Sequence, residues 1–360
     1  MKICFIADTK SIHIMNWLKY FVAQNHKVYL ITDTENQIEG VTIFNIGDCL
    51  PKPRIPLLTA SIQISSKIKK IKSLLSKIKP QIIHSHYATN YGYLAAKANF
   101  HPLVLTCHGS DILLDLGKDK VKHHFVKFAL NNSDLITMPS NQMAQIVKNE
   151  TNGKKQMSIL QYGIDTEQFN FQSHESDLSI TFISTRALLP KYRIDLLIQA
   201  FAMLKEEYSD VKLLIAGTGF QEASLKKLME ELNMSSSIEF TGDIQNNEIH
   251  KLYKNAQFYV TTSPTDGLSI SLLEAMSCGC YPILPDNESN IEVEKLGFQI
   301  ELYRNSEVES LFYKMKRAVE KKDTLTYIVQ NNSKLVDENF SRKRNLAKVE
   351  KIYHKLSGGY

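Results

Sequence analysis

The sequence predicts an α/β fold built from two doubly wound domains of similar size. Short runs rich in β-branched and aromatic residues alternate with helical patterns along the whole chain. Most of these runs are continuously apolar, which is typical of strands buried on both faces of a parallel sheet. The alternation stops once, at a polar stretch near the middle, and then begins again. A chain of 360 residues is long enough for two ordinary domains.

In the first half, the predicted strands are the runs KICFIAD, KVYLIT, VTIFNIG, QIIHSHY, LVLTCHG, LITMPS and SILQYG. Helical patterns such as SIHIMNWLKYFVAQ separate several of them, which indicates a βαβ series. The polar residues 165–177, DTEQFNFQSHESD, show no apolar periodicity and are the best candidate for a linker. We therefore expect the first domain to span residues 1–165.

In the second half, the predicted strands are SITFIST, VKLLIAG, IEFTGD, FYVTTS, YPILPD and GFQIEL. Helical patterns such as RIDLLIQAFAMLKEE and EASLKKLMEEL fill the gaps, so the second domain is expected over residues 178–340. Residues 341–360 form a polar helical segment that we expect to pack back toward the first domain. The carboxyl ends of both sheets can face a cleft between the domains, which is the expected ligand site.

Composition and charge narrow the class of protein. Hydrophobic residues make up 43% of the chain and charged residues 22%, which is normal for a globular protein. The net charge of +5 is too mild to indicate a nucleic-acid partner, but it permits an anionic substrate or membrane surface. The scattered cysteines fit a reduced, cytoplasmic protein. The opening residues MKICFIAD show no signal peptide, and no apolar run approaches the length of a membrane helix.

Residues 263–279, SPTDGLSISLLEAMSCG, contain two carboxylates in a strand–turn–helix pattern. Asp266 lies in the turn and Glu274 in the predicted helix. The unpaired N–H groups and the dipole at a helix start suit a phosphate, and carboxylates nearby suit the hydroxyls of a sugar or ribose. The alternative is structural. Ser271 and Glu274 match the capping box Ser-x-x-Glu, in which the glutamate only bonds the cap backbone.

Three cations follow the first strand of the second half. Arg186 comes directly after that strand, and Lys191 and Arg193 lie in the next loop, at the expected ligand-facing edge of the sheet. Two cations beside a diphosphate could each contribute ~4 kcal/mol in raw Coulomb terms at an effective dielectric of about 20. Three surface cations are also compatible with a solvated face. Gly217 and Gly219 are weak evidence for a ligand site, because tight strand-to-helix turns need glycine whether or not a ligand binds there.

In combination, these segments resemble the retaining GT-B glycosyltransferases of glycosyltransferase family four. The resemblance is carried by Arg186 with its following lysine, by LLIAGTG, IEFTGD and DGLSISLLEAMSCG, and by IIHSHY, LVLTCHGSDIL, SDLITMPS and ILQYGIDTEQF in the first half. It covers nearly the full chain. It implies two Rossmann-like domains facing a central cleft. It also implies transfer of a sugar, with retained anomeric configuration, from a UDP- or GDP-linked donor to a glycan or lipid-linked acceptor, without a metal or other cofactor.

The resemblance implies a role for each candidate residue. Arg186 and Lys191 would hold the diphosphate and neutralise the charge that develops on the leaving group. Glu274 would bind the ribose hydroxyls of the nucleotide, and Asp266 would contact the hydroxyls of the donor sugar.

Further contacts implied by the resemblance involve backbone groups and one histidine. The backbone near Thr241 and Gly242 would read the base, and His108, in the segment TCHGSD, would lie near the transferred sugar. Backbone N–H groups facing the donor would come from Gly267, Leu268 and Ser269.

The sequence departs from the family pattern at three places. Asp266 stands where the family usually has glutamate. Tyr192 and Arg193 stand where the family often reads Lys-Gly, so either Lys191 or Arg193 could hold the diphosphate. The segment ADTKSIHIM lacks the glycine pair that often follows the first strand, so His13 or nearby backbone must fill that space.

Residues 61–80, SIQISSKIKKIKSLLSKIKP, form the most basic stretch. On a helix its apolar residues share one arc, and these are Ile64, Ile68, Ile71, Leu74, Leu75 and Ile78. The lysines off this arc are Lys69, Lys70, Lys72, Lys77 and Lys79. One interpretation is a surface helix packed on the sheet, and another is attraction to an anionic membrane surface or a lipid diphosphate acceptor. The two are compatible, and the patch could be extended by Lys118, Lys120, Lys122 and Lys127.

Two histidines at the end of one predicted strand, His84 and His86, raise the question of a metal. Their side chains lie on one face, but no carboxylate nearby completes a ligand set, so packing and cleft lining are favoured and no metal is expected.

The expected setting is bacterial surface polysaccharide or glycolipid assembly, such as lipopolysaccharide or capsule, on the inner face of the cytoplasmic membrane. Two alternatives stay open. One is an enzyme on the same scaffold that uses phosphate or catalyses epimerisation. The other is a non-catalytic GT-B module that only binds nucleotide-sugars, to which the missing glycine pair and Asp266 lend weight.

Overall fold

The architecture consists of two parallel β-sheets, each covered by helices. It is seen in a computed structural model that describes residues 1–34, 37–47, 56–173, 179–245, 247–265 and 269–358, without the side chains of residues 56–60 and 118. The chain divides into two compact units. The first unit is Met1–Tyr162 with Lys343–Tyr360, and the second unit is Gly163–Arg342.

The first unit has a sheet of seven strands within the described residues, in the order β3-β2-β1-β4-β5-β6-β7, and every pair is parallel. These strands are β1 (Lys2–Ile6), β2 (Lys27–Thr32), β3 (Val41–Asn45), β4 (Ile82–His86), β5 (Leu103–Thr106), β6 (Leu135–Met138) and β7 (Gln156–Ile159). The helices between them are α1 (Ile12–Ala23), α2 (Pro56–Ile78), α3 (Tyr93–Ala98), α4 (Ser110–Leu113), α5 (Asp115–Lys118), α6 (Lys120–Asn131) and α7 (Asn141–Glu150), and a π-helical turn, Ala88–Gly92, leads into α3.

The second unit repeats this plan with six strands in the described ranges, in the order β10-β9-β8-β11-β12-β13, again all parallel. They are β8 (Ile180–Ser184), β9 (Val211–Ala216), β10 (Ile238–Gly242), β11 (Phe258–Val260), β12 (Tyr281–Pro285) and β13 (Glu301–Tyr303). The helices are α8 (Ile194–Glu207), α9 (Glu222–Glu231), α10 (Ile249–Lys254), α11 (Ile270–Cys278), α12 (Glu288–Lys295), α13 (Val308–Glu320) and α14 (Thr326–Phe340), with 3-10 turns at Pro190–Tyr192 and Lys322–Thr324. The predicted fold class, two doubly wound α/β domains, is confirmed.

The core of the first unit lies on both faces of its sheet, because successive side chains of a strand point to opposite sides. On one face, Ile3 and Phe5 of β1 pack with Trp17 of α1. On the other face, Cys4 packs against the cluster that contains Leu75 of α2. A last helix, α15 (Arg342–Leu356), adds to the first of these two faces through Leu346, Val349 and Tyr353.

Helix α2 carries the basic stretch on its exposed side. Its residues Ile71, Leu75 and Ile78 are buried in the core, as the predicted apolar arc requires. The lysines predicted to lie off the arc are exposed, and these are Lys69, Lys70, Lys72, Lys77 and Lys79. Among the helices that the structure describes, none combines the length and the apolar character that a membrane span needs.

Strand β13 is shorter than the run GFQIEL predicts, for a reason that involves α14. The side chain of Asn332, on α14, hydrogen-bonds both backbone groups of Gln299, with N···Oδ1 at 3.0 Å and Nδ2···O at 2.8 Å. These bonds replace strand pairing at Gln299, so the strand begins only at Glu301. In the segment predicted as a linker, Phe169 is buried in the core of the second unit, and Ser277 donates a hydrogen bond to its carbonyl oxygen.

The turn after β9 packs tightly against the segment after β8. A Cβ added at Gly217, whose φ is +148°, would lie 2.4 Å from the carbonyl oxygen of Arg186. A Cβ added at Gly219 would lie 2.3 Å from the carbonyl oxygen of Leu188. Leu188 N also donates to Thr218 O at 2.9 Å. Glycine is therefore needed here for close backbone approach, and this contact fixes the path of the chain just after Arg186.

Replacing Gly219 by alanine should destabilise the protein by ~1–3 kcal/mol, because backbone atoms rather than a flexible side chain oppose the new methyl group. Urea unfolding followed by circular dichroism measures this. The matched control is Gly117→Ala on α5, where an added Cβ has no neighbour within 4 Å and the protein should be as stable or slightly more stable. Equal unfolding midpoints for Gly219→Ala and the unchanged protein would show that the contact has no energetic weight.

Candidate functional site

The candidate site of the second unit lies at the carboxyl edge of its sheet, where the strand order reverses. The chain runs from β8 to β9 and β10 on one side, and from β11 to β12 and β13 on the other. Loops that leave neighbouring strands in opposite directions open a crevice at such a switch point. The loop after β8 carries Arg186 and Lys191, and the connection after β11 leads into α11, which carries Glu274.

Arg186 and Lys191 both approach the ring of Tyr192. The Arg186 Cζ atom lies 5.5 Å from the ring centroid, and the Lys191 Nζ atom lies 4.7 Å from it. Both distances suit cation–π attraction. Thr262, just after β11, donates to the carbonyl oxygen of Tyr192 at 2.7 Å, which ties this turn to the neighbouring strand end. The Nε and Nη2 atoms of Arg186 are buried, whereas Lys191 is exposed. The ring thus gathers two cations at the switch point.

Arg193, the alternative cation, is engaged elsewhere. Its Nε lies 3.1 Å from Oδ1 of Asp195 and its Nη2 lies 3.1 Å from Oδ2, a two-point ion pair. These bonds raise the pKa of the Arg193 guanidinium. Arg193 also has φ +48°, a conformation that glycine adopts easily, and this fits the glycine that the resembled family often carries there. Lys191, by contrast, has no carboxylate partner among the described residues.

Helix α11 begins differently from the capping-box prediction. Its N-cap is Ser269, whose Oγ accepts a hydrogen bond from Leu272 N at 3.2 Å. Ser271 lies inside the helix and its Oγ is 3.0 Å from the hydroxyl oxygen of Tyr259. Glu274 is therefore beyond the position from which a capping glutamate reaches back to the cap. The capping-box interpretation of Ser271 and Glu274 is wrong.

Glu274 is a largely buried carboxyl. Burial raises its pKa to about 7, and the nearby guanidinium of Arg342 opposes that shift. In the part of the chain that the structure describes, no group donates a hydrogen bond to it. Tyr253, whose pKa is raised by burial and by Glu274, is hydrogen-bonded to Thr185 at 2.8 Å, directly before Arg186. Glu274 therefore lies close to the segment that leads into the cation loop, and its carboxylate oxygens accept no hydrogen bond from the described residues.

The end of β10 has an irregular backbone. The pairing register of β10 with β9 shifts between Phe240 and Gly242, which leaves Thr241 in a bulge. The Oγ1 atom of Thr241 is buried and has no hydrogen-bond partner among the described residues. Gly242 has φ +72°, and its carbonyl oxygen accepts from Gly217 N at 2.9 Å. This strand end thus has a buried polar atom to which no described residue is hydrogen-bonded.

Three predicted site residues lie outside the described residues. They are Asp266, Gly267 and Leu268, which come between β11 and α11 in the chain. Their predicted contacts with the donor sugar therefore stay predictions.

In the first unit, His108 follows β5 and is held at its backbone by a buried carboxylate. Asp111, which is fully buried, accepts hydrogen bonds from His108 N at 3.0 Å, Gly109 N at 2.9 Å and Ala88 N at 2.8 Å. Burial, with a smaller contribution from His13, lowers the pKa of His108 to about 4. The imidazole is therefore neutral near pH 7.

One neighbour of His108, Tyr162, escaped the sequence interpretation. Tyr162, after β7, lies with its ring centroid 5.2 Å from that of His108, and His13, which the sequence analysis singled out, stacks on Tyr162 at 4.4 Å. In the second unit, Tyr253 and Arg342 beside Glu274 were also missed. They come from segments far away in the chain, and nothing in their local sequence marks them.

The histidine pair of β4 is packed, as predicted. His84 and His86 are 0% and 2% exposed, and their ring centroids are 4.3 Å apart. His84 Nε2 is 2.6 Å from Thr106 Oγ1, and its Nδ1 bonds the hydroxyl of Tyr353. Within the described ranges, no group of three or more His, Cys, Asp or Glu residues is arranged to hold a metal ion.

Comparison with known proteins agrees with this architecture. The family model described as Glycosyl transferase 4-like matches residues 2–140, and the model described as Glycosyl transferases group 1 matches residues 165–335. An uncharacterized glycosyltransferase of Methanocaldococcus jannaschii is 24% identical over 355 residues, which is 96% of this chain and 94% of that protein.

One component of the human phosphatidylinositol N-acetylglucosaminyltransferase is 20% identical over 358 residues, covering 96% of this chain and 72% of its own length. Among solved structures, Anabaena HepE in complex with UDP superposes with a TM-score of 0.74 at 16% identity, over 99% of this chain and 100% of that chain. The chain described here belongs to the group 1 glycosyltransferases and has their GT-B fold.

Proposed function

We propose that the protein is a retaining glycosyltransferase that moves a sugar from a UDP- or GDP-sugar to a glycan or lipid-linked acceptor. One observation carries this proposal. Two cations gathered on the ring of Tyr192 and a largely buried carboxyl, which has no hydrogen-bond donor among the described residues, lie near the switch point of one sheet. A nucleotide-sugar offers the matching groups, because it has a dianionic diphosphate bridge and ribose hydroxyls.

In this proposal, Arg186 and Lys191 hold the diphosphate. As the bond between the sugar and the diphosphate breaks, negative charge grows on the leaving oxygen, so fixed cations stabilise the transition state more than the bound donor. Lys191 is assigned this role over Arg193, because Asp195 already neutralises Arg193. These cations supply the charge that a metal supplies in other enzymes, and the proposal includes no cofactor.

The nucleoside is proposed to bind between Glu274 and the end of β10. Ionised Glu274 can accept hydrogen bonds from both ribose hydroxyls. Burial raises the pKa of Glu274, and hydrogen bonds donated to the carboxylate would lower that pKa again and so favour the ionised form. The backbone at Thr241 and Gly242, with the buried Thr241 hydroxyl, offers polar contacts for a base. HepE of Anabaena has been solved with UDP, which makes UDP the first ligand to test.

Retention is proposed to arise from attack on the face that the diphosphate leaves. The acceptor oxygen bonds to the anomeric carbon, the bond from that carbon to the diphosphate oxygen breaks, and the acceptor proton passes to the departing diphosphate. His108 is proposed to contact the transferred sugar as a neutral imidazole. Asp266 and the backbone of Gly267, Leu268 and Ser269 are proposed to bind the hydroxyls of the same sugar.

The proposed setting is surface polysaccharide or glycolipid assembly in bacteria, at the inner face of the cytoplasmic membrane. Support comes from the exposed lysines of α2 and from the human relative, whose name refers to phosphatidylinositol, a lipid. The evidence is weaker for the predicted extension of this surface by the lysines between residues 118 and 127. Lys122 pairs with Asp115 at 2.6 Å and Lys127 with Glu150 at 3.7 Å, so the proposed membrane contact rests on α2.

Arg186→Ala should abolish the rise in melting temperature that UDP or GDP produces, because the main diphosphate contact is lost. Thermal-shift titration measures this, and Lys191→Ala should reduce the rise. The matched control is Arg193→Ala, which removes a cation already paired with Asp195 and should retain most of the rise. A full shift with Arg186→Ala would refute the diphosphate role. Nucleotide binding without sugar transfer to any acceptor would favour a binding module instead.

Glu274→Gln should make the protein more stable near pH 8 by ~1–3 kcal/mol while weakening UDP binding. The folded-state pKa of Glu274 lies above its unfolded value, so the stability that Glu274 contributes is present at low pH and lost as pH rises toward about 7. The gain from glutamine should therefore be several times smaller near pH 5, and it should vanish only below the unfolded-state value of 4.5. Melting curves at both pH values measure it, with the exposed Glu292→Gln on α12 as control. A gain that is equal at both pH values would contradict a buried, titrating Glu274.

Replacing Lys69, Lys70 and Lys72 together by glutamate should weaken binding to phosphatidylglycerol vesicles at low salt by roughly tenfold or more, since each lysine near an anionic surface contributes about 1 kcal/mol. Co-sedimentation at low and high salt measures this. The control replaces the exposed Lys295, Lys321 and Lys322 of the second unit, which changes the net charge equally. Equal loss in both triple variants would indicate a general charge effect and remove α2 from the proposal.

A further inference from the structure

His86, at the end of β4, has an unusual environment for a polar side chain. It is 2% exposed and lies among aromatic rings, with Trp17 edge-on at 5.0 Å and Phe5 at 6.1 Å between centroids. Its Nδ1 is 3.1 Å from Nε2 of His108. Its Nε2 is buried and has no hydrogen-bond partner among the described residues. The bond to His108 is therefore the one polar contact that the described structure gives this side chain.

Both imidazoles are neutral near pH 7, so one of them must donate and the other accept. Burial lowers the pKa of His86 well below its usual value, and the pKa of His108 is about 4. A neutral imidazole has one N–H and one bare nitrogen. The 3.1 Å contact between the two rings thus couples the tautomer of one histidine to that of the other.

The buried Nε2 of His86 decides between the two arrangements. If Nε2 carried the proton, an N–H donor would be buried without an acceptor. If Nδ1 carries it, only a lone pair is left without a partner. Buried N–H groups without an acceptor are rarer than acceptors that lack a donor. His86 therefore donates through Nδ1, and His108 accepts at Nε2.

We infer that His86 is a positioning residue that holds His108 in the tautomer with its proton on Nδ1. His108 then presents an N–H donor, suited to an oxygen acceptor such as a hydroxyl of the transferred sugar. This last step rests on the proposed function, whereas the tautomer does not. Among the described residues, none accepts a hydrogen bond from His108 Nδ1, so the donor is available to a ligand.

The residues packed around His108 hold its imidazole ring in one orientation. Tyr162 and Tyr87 flank it, with centroid distances of 5.2 Å and 5.7 Å. Asp111 holds the backbone of His108 at 3.0 Å, so backbone and side chain are each fixed by a buried partner. A carbonyl or carboxylate commonly fixes the tautomer of a functional histidine through its other nitrogen. Here a second histidine, His86, has that role. It donates a hydrogen bond to His108, whereas a carbonyl or carboxylate would accept one.

Nitrogen NMR of the full chain with isotope-labelled histidine tests the tautomer directly, since protonated and bare ring nitrogens have well-separated shifts. The signals of His108 are identified as those missing in His108→Gln. At neutral pH we expect a protonated Nδ1 and a bare Nε2. A protonated Nε2 on His108 would overturn the inference, whether or not the protein transfers sugar.

Two variants of His86 test the positioning role. His86→Gln keeps an N–H donor on its side chain and should preserve the His108 tautomer and most of the activity. His86→Leu removes the donor and should shift His108 toward protonation at Nε2, the form that unconstrained histidine prefers in water. Melting curves confirm that both variants are folded, and the NMR comparison is made on the folded variants.

For transfer activity, His86→Leu should lower kcat by roughly 10- to 100-fold, as loss of an orienting partner does for other functional histidines. The double variant His86→Leu with His108→Gln should be no slower than His108→Gln alone, because both changes remove one interaction. Additive losses, or an unchanged His108 tautomer in His86→Leu, would contradict the inference. Absence of transfer in the unchanged protein would instead contradict the proposed function and leave the NMR result to decide the tautomer.

Discussion

Burial of parallel strands on both faces is the constraint on which the rest of this structure depends. A polar side chain within such a strand must find partners inside the protein, and His84 does so on both ring nitrogens, toward Tyr353 and Thr106. Polar groups that are to meet a ligand must therefore lie where strands end. Two candidate residues follow this rule, since His108 comes just after β5 and Arg186 just after β8.

Two polar groups of the candidate site are largely removed from water and have no hydrogen-bond partner among the residues that the structure describes. Glu274 has a pKa raised by burial, and the hydroxyl of Thr241 is buried without a partner among the described residues. Such groups make the ligand-free protein less stable than apolar residues would, and this is typical of binding sites rather than of structural cores. A ligand whose hydroxyl groups donated to these atoms would relieve this cost.

The ionisable side chains of the two candidate sites have different environments. In the second unit, burial raises the pKa of Glu274 to about 7, and Glu274 is close to Tyr253, which bonds Thr185 next to Arg186. In the first unit, burial keeps His86 and His108 neutral, and Asp111 is held by three backbone N–H groups. We therefore regard the site of the second unit as charge-based, and that of the first unit as a set of fixed hydrogen-bond donors and acceptors.

The sequence by itself determined the strands, their parallel arrangement and the loops that hold the candidate residues, because continuous apolar runs and strand ends are local features of the chain. It could not separate Lys191 from Arg193, or decide the role of Ser271 and Glu274, since these depend on where a helix begins and which side chains meet. Only the tertiary structure placed Tyr192 against two cations, Arg342 near Glu274 and His86 against His108. Such contacts join segments far apart in the chain or depend on side-chain direction, which local pattern does not encode.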